Sequence, residues 1–168
     1  MKKNLLCAAA VLMVLACACN GKGNLRPVQL RCEYQVDPVV VEAAAPRLSW
    51  IDETVRPDIQ GESQTAWQVL VASSPALLKE GKADVWDSGR QASAESHLVP
   101  FGGAALEPMK TYYWKVRVWD AAGNPSAWSK TACWGTGPAK DGWEAQWIGA
   151  PWQEDTFGNW YTRYPMFR

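Results

Sequence analysis

The 168 residues carry 17 basic and 17 acidic side chains, a formal net charge of zero, which argues against a general nucleic-acid partner because such binding needs a concentrated positive field. The length suits one domain with flanking segments, or two very small domains. The 11 tryptophans describe either an aromatic-rich core or a stacking surface, and composition does not separate the two.

The chain opens with a short cationic stretch, "MKKN", followed by "LLCAAAVLMVLACAC", which is apolar for 15 residues. That is shorter than the roughly 20 residues a membrane-spanning helix needs, and it suits a secretory signal over residues 1–19. Its "VLAC" ending resembles a bacterial lipobox. The resemblance implies a diacylglyceryl group on the Cys17 thiol, with the mature chain starting there. Cys19, preceded by "ACA", is the alternative attachment point, with an alanine where the motif takes a larger aliphatic residue. A plain cleaved signal and a buried apolar helix are the competing readings. The lipobox implies an exported protein held to a bacterial membrane in the cell envelope, periplasmic or at the surface. Residues 20–26 then read as a flexible tether.

From Pro27 to Gly137 the pattern is short strands between turns. In "VQLRCEY", Val28, Leu30, Cys32 and Tyr34 alternate onto one face. "RLSWI" sets Leu48 and Trp50 together, and "TAWQVLVAS" sets Trp67, Val69 and Val71 on one side. "SPALLKEG" reads as one or two helical turns, with Ser74 as cap, Pro75 at the first position and Gly81 as stop. "DVWDSG", "SHLVP" and "YYWKVRVWD" follow as strands, and "SAWSKTACWGTG" carries the last one. In the third of these, Tyr112, Trp114, Val116 and Val118 form an apolar face. Tyr113, Lys115, Arg117 and Trp119 form the mixed opposite face. About seven strands, each with one apolar face, predict an all-β antiparallel sandwich, because a second sheet has to cover those faces. Cys32 and Cys133 fall in predicted strands; they are read as unpaired thiols, with a bridge left open. Past Gly137 the rhythm breaks, and residues 138–168 read as a linker leading into a further, incomplete sandwich.

Leu106, Pro108 and Tyr112 make the spacing Leu-x-Pro-x-x-x-Tyr ahead of a strand. This resembles the tyrosine corner of fibronectin type III domains, in which the hydroxyl bonds upstream backbone, the proline restricts the loop and the leucine plugs the core. The stretches "LRCEYQVDPVVVEAAAPRLSW", "QTAWQVLVASSPALL", "DVWDSGR", "TYYWKVRVWDAAGNPSAWS" and "WEAQWIGAPW" occur in this order. Together they resemble the N-terminal region of bacterial α-L-rhamnosidases of glycoside hydrolase family 78. The resemblance implies a fibronectin type III-like accessory domain. In that family a carbohydrate-binding-type sandwich and an (α/α)6 barrel follow, and the barrel hydrolyses terminal α-L-rhamnosides with inversion. It implies downstream rhamnosidase domains as partners, and it reads this chain as cut short before the barrel. No catalytic residue carries over, because no position here matches the barrel's motifs.

The residues themselves offer little reaction chemistry. Inverting hydrolysis takes two carboxyl groups roughly 6.5–9.5 Å apart across a sugar, and the neighbouring pairs Asp84/Asp87 and Asp52/Glu53 read as solvated loop or strand-end groups. His97 is the lone histidine, so neither a histidine-based triad nor a multi-histidine metal site is expected, and no cofactor is implied. Tyr113, Trp119 and Trp128 are the candidate stacking platform for rhamnose-containing glycans, set against packing or an interdomain contact. Trp143, Trp147, Trp152 and Trp160 are assigned to docking against a following domain.

Overall fold

The computed structural model describes residues 23–139 and Glu144. Among the described residues, seven strands make two antiparallel sheets. One has the order β1 (Leu25–Cys32), β2 (Arg47–Thr54), β5 (Val99–Pro100); the other has β4 (Trp86–Asp87), β3 (Ala66–Ala72), β6 (Thr111–Trp119), β7 (Ala132–Gly135). The longest register runs between β3 and β6, from Ala66 opposite Trp119 to Ala72 opposite Tyr113. Contacts divide the chain at Gly137/Pro138, and the sandwich lies in the first unit.

The core forms where the two inner faces meet, because each strand exposes alternate side chains to it. Leu48 and Trp50 enter from β2, Trp67, Val69 and Val71 from β3, and Tyr112, Trp114, Val116 and Val118 from β6. Six rings form a chain through this layer. Trp50, Trp67, Trp86, Phe101 and Trp134 meet edge to face with centroids 5.3–6.5 Å apart, and Tyr112 tilts against Trp134 at 5.8 Å. Edge-to-face contacts suit the ring quadrupole. Trp50 also donates its indole N–H to Gln64 Oε1 at 2.9 Å, so its polar atom is satisfied inside.

Several expected elements differ. In β1 a bulge between Val28 and Arg31 leaves Gln29 with φ of 49°. The extra residue reverses the alternation, so Leu25 and Pro27 face inward before it and Leu30 and Cys32 after it, while Val28 is only half-buried. Tyr34 lies past the strand, at positive φ and 53% exposed, with His97 edge-on to its ring at 5.8 Å. The "SPALLKEG" turn is a 3-10 helix over Pro75–Leu77, and Ser74 makes no side-chain cap. The strands expected in "DVWDSG" and "SHLVP" shrink to two residues each. Cys32 and Cys133 are free thiols, and burial, aided by the Glu33 charge, pushes Cys32 up to about 12.

The expected tether also ends earlier than residue 26. Gly23 donates its N–H to the Pro125 carbonyl at 2.9 Å, and β1 starts at Leu25. Asn24 is buried, and every polar group it owns is engaged. Its N–H reaches Asp120 Oδ2 at 3.0 Å, its Nδ2 reaches Glu62 Oε1 at 3.1 Å, its Oδ1 accepts from the Arg56 N–H at 2.8 Å, and its carbonyl accepts from Val55. Asp120 in turn accepts from Asn124 N–H; these backbone donors hold its carboxyl below the usual range against the opposing effect of burial.

Candidate functional site

The tyrosine corner lies at the start of β6. Tyr112 is buried, and its hydroxyl oxygen accepts the Glu107 N–H at 2.8 Å. Leu106 packs on the edge of the core and Pro108 stays exposed. Tyr112→Phe leaves that N–H without its acceptor, and a loss of about 1 kcal/mol is expected in urea-induced unfolding.

On the outer face of the same strand, cations and indoles alternate. Arg90 lies 5.0 Å over Trp119, Arg117 lies 4.9 Å over Trp119 and 4.8 Å over Trp128, and Lys115 lies 4.8 Å over Trp128. Arg117 is fixed further by Gln68 Oε1 at 2.8 Å and by an ion pair with Glu80. Gln68 passes the chain on, its Nε2 donating to Asp87 Oδ1 at 2.6 Å. Desolvation pulls Lys115 below its ordinary value, with Glu80 opposing. Tyr113 and Trp128 also pack against Leu70, Ala72 and Leu78, and Trp119 is buried. These three aromatics therefore form no open platform; each indole is engaged by two cations, and a stacking sugar would have to displace one of them.

Trp128 is held by an arrangement that alternation did not reveal. The segment "SAWS" runs beside β6 without being a strand. Ser126 and Ser129 donate their N–H groups to Val118 and Val116 carbonyls, each at 2.8 Å. The return bonds go to the serine hydroxyls, from Val118 N–H at 3.0 Å and Val116 N–H at 3.1 Å. Three residues here face two on β6, the repeat of a three-fold extended chain rather than a pleated strand. Regular pairing resumes only at Ala132. Between this segment and β1 lies a groove of about 540 Å³, lined by Arg26, Gln29, Val36, Trp128 and Lys130 among others.

Three of these four carboxylates, Asp84, Asp87 and Glu53, have structural partners. Asp84 accepts both the N–H and the hydroxyl of Ser73, whose hydroxyl bond is the main cause of its lowered pKa. Asp87 bonds Gln68 and the Gly89 N–H. Asp52 and Glu53 are adjacent on β2 and point to opposite faces; Glu53 pairs with Arg26 at 2.7 Å. Asp52 takes the inward parity of Leu48 and Trp50. One of its oxygens is buried without a partner among the described residues, and its register neighbour Pro27 has no N–H to offer. Alternation from Leu48 could have found this residue.

Burial alone raises Asp52 to about 6. Its folded value thus exceeds the unfolded one near 3.9, so its contribution is fully present below about pH 4 and is lost as pH rises through 6. Discounted for the solvent that still reaches it, the swing is about 1–2 kcal/mol. Asp52→Asn is expected to flatten the stability profile between pH 4 and 7, read from melting temperatures across that range. Among the described residues no group of three or more His, Cys, Asp or Glu side chains is placed to hold a metal ion. Cys17, Cys19, Trp143, Trp147, Trp152 and Trp160 lie outside the described residues.

Two sheets, a tyrosine corner and a short edge segment define an immunoglobulin/fibronectin III-like sandwich. The chain belongs to the family of Rha78A-like N-terminal immunoglobulin domains, matched over residues 27–140. Over 128 residues it is 46% identical to an α-L-rhamnosidase of Streptomyces avermitilis, covering 76% of this chain and 12% of that one. The crystal structure of that enzyme with L-rhamnose superposes with a TM-score of 0.70. An α-L-rhamnosidase structure from Dictyoglumus thermophilum gives 0.69 at 35% identity, covering 76% of this chain and 14% of that one. An α-L-rhamnosidase of Formosa agariphila is 34% identical over 155 residues, 88% of this chain and 16% of that one. The chain thus spans 12–16% of the length of these curated relatives.

Proposed function

We propose that this domain is the non-catalytic N-terminal spacer of an exported, lipid-anchored α-L-rhamnosidase. One observation carries the spacer role: the chain enters and leaves the sandwich at opposite poles. Gly23 and Asn24 are bonded to Pro125 and Asp120 at one end. Gly137 accepts the Met109 N–H at the other, beyond the start of β6. The nine residues of β6 run between these poles, a separation of about 30 Å at the rise of an antiparallel strand. A rigid sandwich thus separates its own entry residue from its own exit residue, the geometry a spacer needs.

The activity is supported by the relatives, which are α-L-rhamnosidases, and the anchor by the "VLAC" pattern ending at Cys17. Reading the DNA beyond codon 168 in all frames tests the first: a barrel-coding region is expected, and its absence overturns the assignment. Metabolic labelling with a radioactive fatty acid tests the second, with Cys17→Ser expected to abolish incorporation. As an independent glycan-binding module, the domain would have to free an indole from its cations. Calorimetric titration with rhamnose-containing oligosaccharides is therefore expected to be flat, and measurable heat would replace the spacer reading with a binding one.

A further inference from the structure

The exit end of the sandwich carries an apolar surface that the fold does not use. Among the described residues seven large apolar side chains are exposed, and five of them fall in two neighbouring segments. Tyr34, Val36, Val39 and Val40 lie in one, and Met109 in the other. Val39 is 88% exposed and Met109 74%, more than the rest. Residues 135–137 run between the two segments. Gly135 exchanges hydrogen bonds with Pro38 and Val41 on one side, while Thr136 and Gly137 bond Lys110 and Met109 on the other. Val40 Cγ1 stands 3.3 Å from the point where a Cβ on Gly137 would lie. The chain therefore leaves the sandwich through the middle of this surface.

Its make-up is that of a protein contact. Tyrosine and methionine are enriched in such interfaces, and contiguous exposed apolar side chains with a polar rim mark them. The charges beside the surface pair with each other, Glu107 with Lys110 at 3.7 Å and Glu33 with Arg47 at 2.6 Å. Met109 sits at φ of 55°, a left-handed backbone that glycine or asparagine takes most easily. Such strain persists where the surroundings impose it, and here the bond to Gly137 does so. The occupant follows from where the chain goes. The family is an N-terminal domain, and the chain spans 12–16% of its curated relatives. Most of a relative's length thus follows this exit, and a domain on the same polypeptide meets the surface at high effective concentration.

We infer that Val39, Val40 and Met109 dock a downstream domain of the parent rhamnosidase, encoded beyond residue 168. This rests on the rhamnosidase reading, and the two fail separately. Peroxide oxidation of Met109, followed by mass spectrometry, is compared between the 168-residue chain and the enzyme obtained by reading on through the downstream coding region. Oxidation about tenfold slower in the enzyme is expected, because access to the thioether sets the rate. Val39→Asp should restore the fast rate in the enzyme. It should leave the melting temperature of the 168-residue chain unchanged, since that side chain points into solvent. An equal rate in chain and enzyme, or protection that Val39→Asp does not relieve, overturns the inference with the rhamnosidase reading intact. Slow oxidation already in the 168-residue chain, relieved on dilution, makes a second copy the occupant and also overturns it. A downstream sequence without rhamnosidase domains overturns the reading, and the inference with it.

Discussion

Replacing Gly135 by alanine is expected to destabilise the domain by about 3 kcal/mol. Gly135 ends β7 and carries the segment 38–41 against it: its N–H reaches the Pro38 carbonyl at 3.0 Å, and its own carbonyl accepts from Val41 at 2.8 Å. A Cβ at this position would fall far inside contact distance of the Val39 carbonyl oxygen, which is backbone and cannot rotate away. The segment has to lift, and both hydrogen bonds go with it. For a domain of this size the melting temperature should fall by about 15 °C. Gly123→Ala is the control. Gly123 sits at φ of +78° with open space around it, so only local strain of about 1 kcal/mol is expected. Equal effects of the two substitutions would refute the close-approach argument.

Trp134→Ala is expected to cost about 4 kcal/mol and to leave little folded protein at 37 °C. The side chain is fully buried, it lies opposite Tyr112 in the β6–β7 register, and it joins Tyr112 to Phe101 in the ring chain. Among the described residues its indole N–H has no acceptor, so Trp134→Phe removes an unsatisfied donor along with volume and should cost less, about 1–2 kcal/mol. Trp128→Ala provides the contrast. That ring is half-buried, packed against Leu70, Ala72 and Leu78 and flanked by Lys115 and Arg117, and about 1 kcal/mol is expected. Urea midpoints with unchanged m-values would measure all three.

The sandwich was readable in the sequence because Trp67–Val71 and Tyr112–Val118 are unbroken runs in which every second side chain is apolar. Where one residue breaks that count, the reading slips: the bulge at Gln29 exchanges the roles of Pro27 and Val28, and nothing in "RPVQL" announces it. Tyr112 was legible for a different reason, a fixed spacing to Leu106 and Pro108. The outer face was not. Trp119 and Trp128 look like a platform until Arg90, distant in the chain, is folded beside them, and only three-dimensional pairing makes that visible. Serines three apart in "SAWS" lie in a stretch whose sequence announces only a last strand, whereas their hydroxyls replace carbonyls in the ladder. Gly135 carried no signal, because the need for a missing side chain arises from the 38–41 segment laid against it.

The placement of the two chain ends has a mechanical consequence. A load applied through Gly23 and Gly137 runs along the strands, so it slides β1 past β2 instead of peeling them apart. The paired residues from Leu25/Thr54 to Cys32/Leu48, and those from Thr111/Gly135 to Trp114/Ala132 at the other end of the load path, are then sheared along their length, and rupture is governed by the height of the unfolding barrier. A domain strung in this direction resists shear far better than one pulled open from a single end.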